Sequence, residues 1–307
     1  MAMAKPKRAY CNPGLGMALS PCGLCGSLEG MPIFEAGGIP IVRCKQCQHV
    51  YARLQAVEPS RIYGEGYYHS VRRDGVNVEF RVEPRCRHEV ERRTFLSRLE
   101  SIESRLGRKG CLLDVGCGLG EFLAVARDHG WQVEGIEPSE YAAQYVRRTH
   151  QISVHSGTLD TYLGPPESFD VITLYDVIEH VSHPVDLLLA VHRMLKPGGL
   201  AHLVTPDFHS LSARLLGKHW YHLKPFEHIH FFTPRTIANL VAATPFTLLE
   251  VRPSRHLMTP SYVLDRLRVY NQRLFGALLV LSERLWGNGP GVKISIGEME
   301  VWLSRGN

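Results

Sequence analysis

LLDVGCGLGEF, Leu112 to Phe122, runs from an apolar strand through a glycine-rich turn into the start of a helix. A turn of this kind at the carboxyl end of a buried strand is where open α/β sheets bind their ligands. Its glycines, Gly116, Gly118 and Gly120, miss the G-x-G-x-x-G register that lets a backbone approach a pyrophosphate seated on a helix N-terminus. Asp114 stands two residues before the first of them. A carboxylate at the mouth of the turn repels phosphate and attracts an ammonium or a sulfonium.

The next strand-like run, WQVEGIEP, carries Glu137 about twenty residues beyond the turn, where an acid at a strand end accepts hydrogen bonds from ribose hydroxyls. Asp114 and Glu137 have no other evident reason to end buried strands. A nucleoside without phosphates but with a positive charge satisfies both acids, and S-adenosylmethionine is such a molecule.

Outward from this turn, short β-rich runs alternate with helical patterns from about Gly110. CLLDV, WQVEGIE, ISVHSG, FDVITLYD, AHLVTPD and FTLLEVRP read as strands. Between them EFLAVARDHG, YAAQYVRRTH, VDLLLAVHRML and TPRTIANLVAA read as helices. Such alternation predicts an α/β fold with a doubly wound, mostly parallel sheet. Lys196 to Gly199, KPGG, is a helix stop followed by a strand. SYVLDRLRVYNQRLFGALLVLSERLW reads as a helical insertion at about 256–290, and KISIGEMEVWLSR as one final strand near the sheet edge, antiparallel to its partner.

The chain has 307 residues, 44% hydrophobic and 21% charged, enough for a full core and an appendage. Its formal charge of +5 is mild. Much of the excess falls between Arg81 and Lys109, where Phe95, Leu99, Ile102 and Leu106 recur at helical spacing, so the charges read as the solvated face of an amphipathic helix. Pro and Gly interrupt the basic N-terminal stretch before a signal-peptide core can form, and FGALLVL is too short to span a bilayer. The expectation is a cytoplasmic protein without a membrane partner, whose eight cysteines are thiols or metal ligands.

Four cysteines stand in register. Cys22 and Cys25 form one CxxC pair, Cys44 and Cys47 another, with eighteen residues between the pairs. This spacing predicts a four-thiolate zinc site, its two knuckles joined by a hairpin that turns near Gly37 and Gly38. Four thiolates leave no place for a metal-bound water, so the zinc reads as structural. Cys11, Cys86, Cys111 and Cys117 lack partner spacing. The expected organisation is a zinc ribbon at 1–60, a linker or lid with an amphipathic helix at 61–109, and a cofactor domain at 110–307.

LLDVGCGLGEF, VEGIEPS, SFDVITLYDVIEHVSHP and LKPGGLAHLVTP together resemble the successive motifs of class I S-adenosylmethionine-dependent methyltransferases. The resemblance covers about Gly110 to Pro253 and implies a seven-stranded Rossmann-like sheet completed by the last strand. It implies that Asp114, Gly116, Cys117 and Gly118 line the methionine end of the cofactor, that Glu137 binds the ribose and that Pro138 lies against it. Thr158, Leu159 and Asp160 would flank the adenine, and Tyr175 and Asp176 would face the transferred methyl. The four-cysteine knuckle, IYGEGYYHS and KHWYHLKPFEHIHFFTPRTI resemble more loosely a bacterial group that includes sugar C-methyltransferases. That likeness points to a small-molecule or glycan acceptor.

A base is needed if the acceptor must lose a proton. His180 and His228 each follow a glutamate, Glu179 and Glu227, but adjacent residues do not face each other on a helix or strand, so neither pair is a ready-made dyad. His228 and His230 would share a face if extended. The resemblance to the sugar-methylating group favours Glu227 and His228 as the catalytic residues, with His180 as a further candidate. Tyr67, a further catalytic candidate, and Tyr68 fall where a lid would attach, and a phenol there could hydrogen-bond a sugar or its carrier. Two other readings remain: a ribosomal-RNA methyltransferase that grips RNA with its ribbon, and a cofactor-binding interaction module without activity. The ribbon segment is not strongly basic and shows no aromatic, Arg-rich strand face, which disfavours nucleic acid. Sequence leaves the acceptor atom and the oligomeric state open.

Overall fold

The structure is a computed structural model that describes residues 20–54, 85–268, 271–286 and 291–306. Tyr67 and Tyr68 lie outside the described residues. The N-terminal sheet begins with β1 (Gly30–Ala36), β2 (Ile39–Cys44) and β3 (Val50–Ala52). Gly37 and Gly38 make the β1–β2 turn with φ of 59° and 84°. Two consecutive left-handed residues suit a tight hairpin, and glycine adopts them without a steric penalty.

After α1 (Arg85–Leu106) the chain alternates β4 (Cys111–Val115), α2 (Glu121–Asp128), β5 (Gln132–Glu137), α3 (Glu140–Thr149), β6 (Val154–Ser156), β7 (Phe169–Tyr175), α4 (Pro184–Met194) and β8 (Leu195–Pro206). It continues through α5 (Leu211–Leu216), β9 (His230–Phe231), α6 (Pro234–Ala242) and β10 (Thr247–Pro253). The last elements are β11 (His256–Met258), α7 (Pro260–Leu267), α8 (Gln272–Trp286), β12 (Val292–Ile294) and β13 (Glu298–Ser304). Seven strands form one sheet in the order β10-β13-β8-β7-β4-β5-β6. Only β13 runs against its neighbours, pairing antiparallel with both β8 and β10. The expected doubly wound, Rossmann-like seven-stranded sheet is present.

Strand alternation divides the core. Leu113 and Ile172 point into a cluster with Leu188 and Val191 of α4 and Ile237 and Leu240 of α6. Their chain neighbours Leu112 and Val171 point the other way, against Leu99 and Ile102 of α1 and Leu123 and Ala126 of α2. Each fully buried Leu or Ile contributes about 1.5–3 kcal/mol. Burial on both faces is why β4 and β7 read as continuous apolar runs. The stripe foreseen on α1 is the face that closes the second cluster, with Phe95 and Leu106 at its margins.

Two expectations need correction. KISIGEMEVWLSR is two strands, because Gly297, at φ 106°, breaks the run between β12 and β13. The insertion is not helical throughout: β11 pairs with β12 and clasps the base of α7 and α8. The structure adds one feature on which the sequence is silent: β9, from the distant 230–231 segment, joins the N-terminal sheet beside β3 as its fourth strand. Among the described residues no helix is long and apolar enough to cross a membrane.

Candidate active site

The carboxyl ends of β7, β4, β5 and β6 lie side by side, and the loops that leave them carry the residues singled out in the sequence. Between β4 and α2, the Gly116 and Cys117 amides both donate to the Ile136 carbonyl, at 2.7 and 3.1 Å, which ties the loop to β5. Gly116, Gly118 and Gly120 alternate in the left-handed region at φ 74°, 54° and 81°. A Cβ on Gly116 would lie 2.6 Å from Val177, and one on Gly120 2.8 Å from Val146. At Gly118 nothing lies within 4 Å, so the middle of the loop faces open space. Cys117 is buried and packs into the second core cluster.

The two acids border this opening. Asp114 accepts from the Thr173 hydroxyl at 2.6 Å, and Glu137 accepts from the Gly118 and Ser139 amides, each at 2.9 Å. Both are 4% exposed. They are therefore not reserved for a ligand, as their positions had suggested; each also holds its own strand end together. Burial pushes the Asp114 carboxyl up to about 7 despite the Thr173 hydrogen bond, and the Glu137 charge adds to the rise. Two crowded anions beside an open glycine fit a cationic ligand and reject a phosphate.

Pro138, half-buried, follows Glu137. Thr158 begins a turn in which its amide donates to the Thr161 hydroxyl at 3.1 Å, and Asp160 in that turn is exposed. The Leu159 side chain packs into the first core cluster. Tyr175 ends β7 with its ring edge-on to Phe122, the Arg98 guanidinium 4.6 Å from its centroid, and its hydroxyl 2.9 Å from His202 Nδ1. Asp176 follows at φ 54°. It is open to solvent yet closely walled by protein, as a residue lining a cleft is; its surroundings and the Glu298 charge push its carboxyl up to about 7.

Beside Asp176 lies a histidine-rich cluster. His180 Nδ1 is 2.8 Å from the Glu227 carbonyl oxygen. A carbonyl only accepts, so Nδ1 carries the proton; burial holds the ring's pKa down at about 4, leaving a lone pair on Nε2 near neutrality. The His228 ring stands edge-on to His180 at 4.6 Å, and burial holds its pKa well below the usual histidine range. Glu179 accepts from the Thr205 hydroxyl at 2.9 Å. One donor atom each from Glu179, His180 and His228 falls within 4.8 Å of the others, an arrangement also within reach of a small cation. Tertiary contact thus crosses the two Glu-His pairs: the adjacent Glu179 and His180 are 3.9 Å apart at their closest charged atoms, and His228 joins them from another loop. Glu227 is buried and contributes its carbonyl to His180. His228 and His230 do not share a face, because β9 starts only at His230, whose ring turns to His49 in the N-terminal sheet.

A family model described as "Methyltransferase domain" matches residues 85–251, just over half of the chain. The chain belongs to the class I S-adenosylmethionine-dependent methyltransferases. A ubiquinone biosynthesis O-methyltransferase of Pseudomonas paraeruginosa is 36% identical over 118 residues, covering 35% of this chain and 50% of that protein. The corresponding protein of Pseudomonas syringae pv. tomato is 39% identical over 95 residues, 29% of this chain and 40% of its own. The chain spans about half the length, or less, of these curated relatives. Among solved structures, a geranyl diphosphate C-methyltransferase from Streptomyces coelicolor has a TM-score of 0.48 at 17% identity, covering 68% of this chain and 77% of that one. A methyltransferase from Archaeoglobus fulgidus has a TM-score of 0.47 at 17% identity, covering 71% and 96%. At these scores the likeness carries nothing about chemistry.

In this methyltransferase the four ribbon cysteines converge. Cys22 and Cys47 sulfurs are 3.5 Å apart, as are those of Cys25 and Cys44, and all four lie within 4.8 Å of one another. A tetrahedral zinc with bonds of about 2.3 Å separates its sulfurs by roughly 3.8 Å, so the donor set fits. Sequence reasoning missed Arg98, Thr205, His222, His256 and Glu298 around Asp176 and the histidine cluster. Glu298 accepts from His256 at 2.6 Å and lies 3.7 Å from His222; although burial alone would raise it, these partners hold it at about 2. Thr205 and His222 fall inside the runs LKPGGLAHLVTP and KHWYHLKPFEHIHFFTPRTI, but no local spacing sets any of the five apart.

Proposed function

We propose that this chain binds S-adenosylmethionine across Gly116–Gly120 and transfers its methyl group to a small polar acceptor, a sugar, glycan or natural-product intermediate. The observation that carries this is the adjacency, at the ends of neighbouring strands β4 and β7, of an anionic open glycine loop and a cluster of neutral buried histidines. When bound, the cofactor supplies an electrophilic methyl on a sulfonium whose charge vanishes on transfer. Asp114 holds that positive end, and Glu137 and Pro138 hold the ribose. Thr158, Leu159 and the turn to Asp160 border the adenine. Tyr175 and Asp176 wall the methyl side. His228, neutral and buried, takes the acceptor proton, with His180 beside it; Glu227 fixes the His180 tautomer through its carbonyl. The loose likeness to sugar C-methyltransferases supports the acceptor class.

We further propose that Cys22, Cys25, Cys44 and Cys47 bind one structural zinc. Isotope transfer from methyl-labelled cofactor to nucleotide sugars, to phenolic acceptors and to RNA tests the function. Label on a small molecule and none on RNA is expected; no calorimetric binding of S-adenosylhomocysteine sinks the proposal.

A further inference from the structure

The ribbon and the histidine cluster meet at one seam. The His49 backbone belongs to the second cysteine knuckle: its carbonyl accepts from the Cys44 amide at 2.8 Å. Its side chain, fully buried, places Nε2 2.9 Å from His230 Nδ1. Next to it, β3 pairs with β9, Val50 opposite Phe231 and Tyr51 opposite His230, and the Ala52 amide donates to the Ile229 carbonyl at 2.9 Å. The first knuckle presses on the same place. A Cβ on Gly23 would lie 2.4 Å from the His230 ring and 3.0 Å from the Ser182 carbonyl. At the far end of the ribbon the hairpin tip touches Phe226, 3.2 Å from where a Gly37 Cβ would stand.

These contacts bracket Glu227 and His228 on both sides, at Phe226 before them and at Ile229 and His230 after them. They reach His180 as well, because the Ile229 and His230 amides both donate to the Glu179 carbonyl, at 2.9 and 3.0 Å. Among the described residues the glycine loop is anchored instead by Ile136, Thr173 and the strand ends of the large sheet.

We propose that the cysteine ribbon is a metal-dependent clamp on the acceptor half of the active site, and that His49 is the positioning residue through which a filled cluster holds Glu227 and His228 against His180. Filling four thiolates with one divalent cation fixes both knuckles. The knuckles fix His49, Gly23 and β3, and these fix the strand that follows His228. Emptying the cluster, by chelation or by oxidation, releases that strand and leaves the cofactor loop in place. In the oxidation two hydrogen peroxide molecules each take two electrons from a thiolate pair; each O–O bond breaks and its oxygens leave as water or hydroxide, two S–S bonds form and the cation is freed. The ribbon then serves the site from within the same chain and needs no RNA to explain it.

Amide hydrogen exchange of the full chain, zinc-loaded and then stripped with a chelator, tests the coupling without any acceptor. Peptides covering 179–182 and 226–232 should lose protection on stripping, while 112–120 keeps it and S-adenosylhomocysteine affinity changes less than about threefold. Equal loss in both regions, or no change in 226–232, overturns the proposal. His49→Ala in zinc-loaded protein keeps the argument testable if stripping unfolds the chain. Metal content should remain one per chain, exchange at 226–232 should rise, and kcat should fall on the order of 10²-fold with KM for the cofactor unchanged, as small misplacements of reacting groups do. His49→Gln, which can still donate to His230, should recover much of that loss; a wild-type kcat in His49→Ala also overturns the proposal. The kinetic arm rests on the methyl-transfer reading, whereas the exchange arm does not, so the two can fail separately.

Discussion

The glycine loop and the histidine cluster sit at neighbouring strand ends, yet they are built in opposite ways. The loop comes from one run of sequence, Asp114 to Gly120, with Glu137 from the next strand, and its geometry is fixed by backbone donors and three left-handed glycines. The cluster is gathered from His180, Thr205, His222, His228, His256 and Glu298, and the N-terminal ribbon holds its far side through His49. On the proposed reading, a local motif suits the part of the site that meets a cofactor common to many acceptors. An assembled one can be re-cut for different acceptors by changing a single loop, and it depends on tertiary contacts for every distance.

The sharpest way to break this comparison is to damage one half and measure the other. His228→Ala should slow single-turnover methyl transfer on the order of 10²- to 10⁴-fold, the usual contribution of a positioned base, with S-adenosylhomocysteine affinity near wild type. If His228 only packs, its removal lowers the melting temperature and leaves the rate of the folded enzyme alone.

Asp114→Asn is the reciprocal case. Asparagine still accepts from Thr173, so the fold should hold. The lost charge should weaken S-adenosylmethionine binding on the order of 100-fold, because a sulfonium donates no hydrogen bond and feels the carboxylate through Coulomb attraction, about 2–4 kcal/mol at roughly 4–8 Å and an effective dielectric near 20, and should weaken S-adenosylhomocysteine, which keeps the ammonium and lacks the sulfonium, less. Equal losses for both ligands would remove the sulfonium from the account of the loop.

The pH dependence sharpens the same point. Asp114 is raised to about 7 by burial, so the folded protein keeps a proton that the unfolded chain releases near its ordinary value. The corresponding stability is present below that ordinary value and is lost as pH rises towards 7. Binding of a cation favours the ionised form and runs the other way. The affinity ratio of S-adenosylmethionine to S-adenosylhomocysteine should therefore rise roughly tenfold between about pH 6 and 8. Asp176 is raised to about 7 as well, so titrations of Asp114→Asn and Asp176→Asn decide which carboxylate is responsible.

The smallest effect separates the glycines. Gly118→Ala meets open space and pays only for its left-handed φ, about 1–2 kcal/mol in thermal or denaturant unfolding. Gly116→Ala adds a contact with Val177 at 2.6 Å and should destabilise more. Equal effects would mean that Val177 moves aside freely.

Sequence by itself determined the large sheet, the cofactor loop with its two acids, and the four-cysteine set, because each rests on short-range regularities. Apolar alternation, glycine spacing and the CxxC repeat are written within a few residues of one another, and strand and turn physics acts at that range. Even the hairpin turn at Gly37 and Gly38 is legible for this reason. Only the tertiary structure decided that β9 leaves the large domain to complete the ribbon sheet, that His230 turns to His49 and not to the His180–His228 cluster, and that Glu179 and His180 meet His228 across 48 residues of chain. A histidine in a loop carries no periodicity, and its neighbour is set by which strand edge happens to be free to pair. That edge belonged to the ribbon, and the segment that carries His228 was organised around it.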